Sequence, residues 1–167
     1  LLRGKDPETT YRSIAQFSKK DAETAPLFSQ AMAELSRMVK PIIDGPAPDP
    51  ASFKPKDLFS LLRLGRIFKD AGEDFVAAQV KMMTMSAVDF LSEWFESEQL
   101  ISPMSASGII GTFLGVRSPG TAYVLLHHYM GEIDGSFRAW GLPKGGTGAI
   151  SMSIARAAQH FGAEIRT

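Results

Sequence analysis

Hydrophobic residues recur at helical spacing through the first two thirds of the chain. The longest stripe lies between residues 28 and 42, and its members are Phe28, Met32, Leu35, Val39 and Ile42. Their spacing is that of one face of an α-helix. Thr24 followed by Pro26 resembles a helix cap with a first-turn proline, so we expect this helix to begin there and to end near Gly45.

The same periodicity predicts further helices on both sides of this stripe. In chain order they cover residues 9–22, 57–68, 73–83, 87–95 and 120–130. Residues 46–56, which follow the long helix, are rich in proline. Few of their amides can join a hydrogen-bonded ladder, so we predict a linker or an exposed loop there. The segment 57–68 is so densely apolar that we expect it to be buried on more than one side.

The pattern changes in the carboxyl-terminal part of the chain. A short strand is predicted over 136–142, then a glycine-rich break, a last helix and the first residues of another strand after Gly162. The predicted fold class is therefore mainly α with a short β component. We divide the chain into a helical segment, 1–135, and a strand–glycine loop–helix–strand segment, 136–167.

Composition excludes several classes of function. The 167 residues carry 18 basic and 18 acidic side chains, so we expect no nucleic-acid partner. The chain has no cysteine, which excludes disulfides, thiolate catalysis and cysteine-ligated metals. No apolar run approaches the roughly 20 residues of a membrane span, and no targeting signal is visible.

Three glycines precede the last helix and form the first candidate site. Gly146, Gly148 and Ser151 approximate the dinucleotide fingerprint G-x-G-x-x-G, with serine in the third place. Lys144 lies before the glycines, which excludes a P-loop. Backbone amides of Gly145, Gly146 and Gly148 could bind an anion. The alternative, favoured on spacing alone, is a turn that lets a helix pack closely.

Histidines and methionines give two further candidates. His127 and His128 are adjacent on a predicted helix and point about 100° apart, so we predict no metal site. We favour packed interior histidines over substrate-facing ones. The methionine cluster at 81–85 favours core filling, with a tunnel for a long apolar substrate as the alternative.

A resemblance to a known family covers about fifty residues. Its elements are SPGTAYVLLHH from Ser118, the GE…G…W stretch from Gly131, and GG-x-G-A-I-S followed by GAEIRT. This region resembles the phytoene desaturase-related FAD/NAD(P)-dependent oxidoreductases, in particular the branch named for a pyridine nucleotide–disulfide oxidoreductase domain. Thr147 departs from the family pattern, which usually has methionine there. Leu142-Pro143 takes the place of the aromatic or hydrophobic residues that more usually lead into the glycine pair.

The resemblance implies a fold and a cofactor. The chain would be an internal fragment: the helical substrate or cap domain of an α+β FAD/NAD(P)-binding oxidoreductase, ending at the return into the FAD domain. FAD would be held mainly by segments outside 1–167, with NAD(P) as a further cofactor. Gly145, Gly146 and Gly148 would lie near the flavin, and His127 and His128 are the candidates for residues that face the substrate. No catalytic residue is identified.

The resemblance also implies an activity on carbon–carbon bonds of a hydrophobic small molecule, with the fragment inactive by itself. A non-catalytic helical protein-interaction module is the alternative. Homo-oligomers and association with a membrane surface stay open. The expected location is cytoplasmic in a bacterium, with mitochondria as the eukaryotic alternative.

Overall fold

A computed structural model describes residues 1, 4, 6–133, 136–137 and 139–166. It divides the chain into two compact units, Leu1–Gly131 and Glu132–Thr167. The first unit is built from helices, and the second holds a two-stranded ladder and one helix. The predicted mainly α fold with a short β component is confirmed.

The first unit contains helices joined by short turns and two longer connectors, residues 44–54 and 109–120. Their bounds are α1 Pro7–Ala15, α2 Lys19–Ile43, α3 Pro55–Ala71, α4 Glu73–Thr84, α5 Ala87–Ser92, α6 Glu98–Ser105, a 3₁₀ turn Ala106–Gly108, and α7 Thr121–His127. α1 packs along α2, while α7 contacts α2, α4 and α5. None of the described helices is long and apolar enough to cross a membrane.

The predicted helix 9–22 is wrong, because the chain breaks between α1 and α2. Ser18 has an extended backbone, and its hydroxyl accepts a hydrogen bond from the Asp21 amide at 3.0 Å. This N-cap starts α2 at Lys19, earlier than the predicted start near Thr24. Pro26 lies inside α2, where it cannot donate an intrahelical hydrogen bond. Burial of Ala22 and Phe28 on either side of Pro26 holds the helix together.

Helix α3 covers the predicted range but not the predicted burial. None of its residues is buried, and the side chains of Phe59 and Leu62 are 72% and 74% exposed. The main contacts of α3 with another helix are those with α4. The density of apolar residues predicted a helix correctly, whereas burial also requires neighbouring elements on each apolar side.

Helix α6 was not predicted. Its sequence EQLISPMS contains Pro103 and two serines, which are typical of loops. The helix nevertheless buries Leu100, Ile101 and Met104 against the core. Tertiary burial therefore outweighs the weak local preference for helix. α5, by contrast, ends at Ser92, earlier than the predicted residue 95.

Phe28 lies at the centre of the core and is 1% exposed. Its ring centroid lies 5.1–6.2 Å from those of four aromatic neighbours, namely Phe90, Trp94, Phe95 and Tyr129. Tilted and edge-on arrangements of this kind add to the hydrophobic gain of burial. Met82 is fully buried, as core filling predicts, whereas Met83 is exposed.

A buried carboxylate joins the start of α2 to the turn before α6. Asp21 is 0% exposed. Its oxygens accept hydrogen bonds from the amides of Glu96 and Ser97, each at 2.9 Å, and from the Ser97 hydroxyl. Hydrogen bonds from several donors offset the cost of burying this charge.

The second unit contains β1 Glu132–Ile133, β2 Ser136–Phe137 and α8 Thr147–His160. β1 and β2 pair antiparallel, with Glu132 opposite Phe137. The strand predicted over 136–142 is observed only at Ser136–Phe137, and residues 139–142 form no strand. Gly135 and Arg138 lie outside the described residues. Residues 163–166 form no ladder within the described chain. The second predicted strand, whose partner strands would come from other polypeptide, stays a prediction.

Candidate functional site

The glycine loop before α8 is a tight turn that only glycine adopts easily. Gly145 and Gly146 have φ angles of +91° and +75°, in the region that side chains disfavour. The Gly146 amide donates to the Pro143 carbonyl at 3.0 Å, which closes the turn. The chain therefore enters α8 sharply.

The first turn of α8 presents open backbone amides. No side chain caps the helix, and the first turn has no acidic residue. The Ala149 amide donates to the Gly146 carbonyl at 3.1 Å, while the amides of Thr147 and Gly148 have no partner among the described residues. Such amides, together with the positive end of the helix dipole, favour an anion or a polarised oxygen.

Gly148 is not required by packing within the described chain. A Cβ built on Gly148 would have no atom within 4 Å, whereas one on Gly145 would lie 3.3 Å from Ala149 Cβ. A glycine inside a helix costs about 0.5–1 kcal/mol relative to alanine. Close packing inside this chain, the interpretation favoured from spacing, does not account for Gly148.

The glycine loop fits a single cofactor contact but not a complete dinucleotide site. The fingerprint requires a strand that leads directly into the glycine turn, and residues 139–146 form no strand. Ser151 occupies the third glycine position. FAD would therefore need most of its contacts from other polypeptide, and this loop could add backbone amides to one phosphate or carbonyl group.

His127 and His128 lie at the end of α7 in the first unit. The His127 side chain is exposed, and the His128 side chain is half-buried with its Nε2 atom inside the protein. The rings are nearly perpendicular, with centroids 5.8 Å apart. Interior packing thus fits His128 in part and does not fit His127. A role facing the substrate stays a prediction for both.

The predicted site residues belong to different units. The glycines lie in Glu132–Thr167 and the histidines in Leu1–Gly131. Across the part of the chain that the structure describes, no three histidine or carboxylate side chains are grouped to hold a metal ion.

The first unit also contains a cavity of about 540 Å³, which the sequence did not predict. α2, α4 and α5 form most of its wall, and the alanines Ala31, Ala71 and Ala78 lie around it. Alanines at core-facing positions of the helical stripes are the signal that could have indicated it, because small side chains on facing helices leave space between them.

Curated proteins, among them one from rat and one from mouse, are similar to the whole chain. The chain is 35% identical to pyridine nucleotide-disulfide oxidoreductase domain-containing protein 2 of Rattus norvegicus and 34% identical to the protein of the same name from Mus musculus. All of the chain is matched in both, and it spans 30% of the length of each relative. No family model matches. No solved structure matches either. The chain is therefore similar, from end to end, to about a third of two proteins named as oxidoreductase-domain proteins.

Proposed function

We propose that the chain is the helical, substrate-covering segment of an FAD-dependent oxidoreductase. The observation that carries the proposal is the similarity of the entire chain to part of two relatives that are named as oxidoreductase domain-containing proteins. The reaction proposed is addition or removal of hydrogen at a carbon–carbon bond of a hydrophobic substrate, with NAD(P) as a second electron carrier.

In this proposal the helices of the first unit shelter the substrate from water. Bound FAD would supply the hydride-transfer chemistry, while the protein binds, orients and excludes solvent. The amides of Thr147 and Gly148 would donate hydrogen bonds to a phosphate or carbonyl oxygen of the cofactor. Their lack of partners among the described residues supports this role.

Titration of the isolated chain with FAD tests whether most contacts to the flavin come from polypeptide outside these 167 residues. Because the glycine loop offers a single contact, we expect no saturable binding when the 167-residue chain is titrated with FAD at micromolar concentrations. Isothermal calorimetry and the flavin absorbance spectrum measure this. Micromolar binding with a protein-bound flavin spectrum would contradict the proposal.

Gly148→Ala tests the contact itself. In the isolated chain the variant should be as stable as the parent or more stable, by about 0.5–1 kcal/mol, since the added methyl meets no atom. In the polypeptide encoded by the whole reading frame, the same variant should lower flavin content, because alanine keeps the amide but its methyl group obstructs the close approach of the cofactor. Gly65→Ala is the matched control, because Gly65 also lies in a helix with no atom within 4 Å of an added Cβ. Equal flavin content in both variants would argue against the contact.

A helical protein-interaction module is the second candidate function. The exposed apolar side chains of α3, Phe59 and Leu62 among them, support it. The polypeptide encoded by the whole reading frame separates the two functions. Purified protein with stoichiometric flavin supports the oxidoreductase, whereas a flavin-free protein that forms a stable complex through α3 supports the module.

A further inference from the structure

The cavity between α2, α4 and α5 has the size of a small-molecule site. Its volume of about 540 Å³ falls within the roughly 300–1,000 Å³ typical of such sites. Buried side chains of Met32, Leu35 and Phe90 form part of its lining. These residues also belong to the hydrophobic core, so one side of the cavity is held by the packing of the unit itself.

Half-buried apolar side chains complete the walls. Met38 comes from α2, Phe75 and Ala78 come from α4, and Trp94 follows α5. Trp94 packs against Phe28 in an edge-on arrangement, with the two ring centroids 5.4 Å apart. The lining therefore favours an apolar body, and methionine side chains can adapt to its shape.

The charges around the cavity are predominantly negative. Lys81 is neutralised by Glu93, with its Nζ atom 2.7 Å from Glu93 Oε2. Two more carboxylates, Glu34 and Asp74, line the cavity and form no ion pair in the described structure. Glu34 only accepts a hydrogen bond from the Gln30 amide group at 3.0 Å. An entering carboxylate would be repelled, while an ammonium group would be attracted.

We propose that this cavity binds a lipophilic cation, an apolar chain or ring system that carries an amine. The apolar part lies among Met38, Phe75 and Trp94, and the ammonium group lies near Glu34 and Asp74. Phe75 and Trp94 also line the cavity, and their aromatic rings would attract the same charge by cation–π interaction. The inference needs no flavin and is independent of the proposed reaction.

Three probes with the same tail and different head groups test the proposal: decylamine, decanol and decanoate. The Trp140→Phe variant of the chain leaves Trp94 as its single tryptophan, because the sequence has two. Each probe is added below its micelle concentration at pH 7 and low salt, and Trp94 emission is recorded. We expect saturable binding, with decylamine about fivefold tighter than decanol and decanoate weakest, since the carboxylates are exposed and partly screened.

Two kinds of variant assign the binding to this cavity. Ala78→Phe fills the cavity and should weaken decylamine binding at least about tenfold. Ala31→Phe does the same from α2, should Ala78→Phe fail to fold by circular dichroism. The double variant Glu34→Gln and Asp74→Asn keeps the volume and should bind decylamine and decanol equally. Gly65→Ala is the control that leaves binding unchanged, because Gly65 does not line the cavity.

The outcomes separate clearly. Saturable binding that is lost on filling the cavity, and whose amine preference is lost on removing the two carboxylates, supports the proposal. Absence of saturation with decylamine, equal or tighter binding of decanoate, or binding that survives in both folded cavity-filling variants overturns it. None of these results depends on FAD, so failure here leaves the flavin titration to decide the proposed function.

Discussion

At the scale of single residues, Gly108 is a tightly constrained glycine of the described structure. A Cβ added there would lie 2.6 Å from Ala87 Cβ and 2.9 Å from the Thr121 carbonyl oxygen. The Ala87 amide in turn donates to the Thr121 hydroxyl at 2.8 Å. The start of α5, the start of α7 and the 3₁₀ turn therefore meet at a point where only hydrogen fits.

We predict that Gly108→Ala destabilises the chain by about 1–3 kcal/mol, because a methyl group in this space forces the backbone to shift. Urea unfolding followed by circular dichroism measures the change. Gly65→Ala, in an exposed helical position, is the control and should be neutral or stabilising. Equal stability of the two variants would contradict the close approach at Gly108.

Glu96 predicts a dependence of stability on acid pH. Hydrogen bonds from the Ser18 hydroxyl and from Lys20, and the charge of Lys20, lower the pKa of Glu96 below its ordinary value. A carboxyl group with a lower pKa in the folded state stabilises the fold above its unfolded pKa, and this contribution is lost as pH falls through the folded pKa.

The free energy of unfolding should therefore decrease below about pH 4.3 partly through Glu96. Glu96→Gln should make the acid decrease shallower, and Lys20→Met should do so to a smaller degree. Chemical denaturation from pH 6 to pH 3 measures the slopes. An unchanged slope in Glu96→Gln would show that the Ser18 and Lys20 contacts do not bind the carboxylate in solution.

Among the helices of the first unit, α3 has no buried residue, and several of its apolar side chains are exposed in the described chain. We predict that Phe59→Gln together with Leu62→Gln changes the free energy of unfolding by less than about 0.5 kcal/mol each, since both side chains are largely exposed. Met82→Ala, which removes a fully buried side chain of α4, should cost about 2–5 kcal/mol. Light scattering should show less self-association in the α3 variant. A large loss of stability on changing α3 would contradict its exposure.

Helix periodicity predicted most helices, and its errors have local causes. Residues 28–42 gave a clear stripe, and α2 contains it. The break at Ser18 depends on a cap that competes with a continuous pattern, and α6 forms because Leu100 and Met104 are buried despite Pro103. The cap is a local hydrogen bond from the Asp21 amide to the Ser18 hydroxyl, whereas the burial of α6 depends on tertiary contacts, which a local pattern does not contain. For α3, conversely, the local pattern predicted burial that the tertiary packing of the described chain does not provide.

The candidate site could be predicted only in part. The positive φ angles of Gly145 and Gly146 follow from glycine chemistry. The cavity involves residues from α2, α4 and α5 that are far apart in sequence, so only the packed fold places Met38 and Trp94 around one space. The charge pattern around it likewise required knowing that Lys81 pairs with Glu93.

For the whole molecule, the first unit holds the core. Every buried hydrophobic side chain in the described structure lies between Ile14 and Met130, and none lies in 139–166. We predict that the fragment Leu1–Gly131 folds with a free energy of unfolding within about 1 kcal/mol of the full chain, because it keeps every buried hydrophobic side chain of the described structure. The fragment 1–95 should be unfolded, since it lacks Leu100, Leu125 and Leu126.

Thermal denaturation followed by circular dichroism distinguishes these fragments. A cooperative transition in Leu1–Gly131 and none in 1–95 is the expected pair of results. A non-cooperative Leu1–Gly131 would mean that residues after Gly131 stabilise the core through contacts that burial does not reveal.

The carboxylate of Asp21 has a consequence for the order in which the protein matures during synthesis. Its amide donors come 75 and 76 residues later in the chain. While the ribosome is still making that intervening stretch, Asp21 stays hydrated, and the surface around it cannot close without desolvating an uncompensated charge. We therefore expect the surface of the amino-terminal helices around Asp21 to stay solvated until Glu96 and Ser97 have been synthesised. Nascent chains that stall before these residues would expose Phe28 to chaperones and proteases.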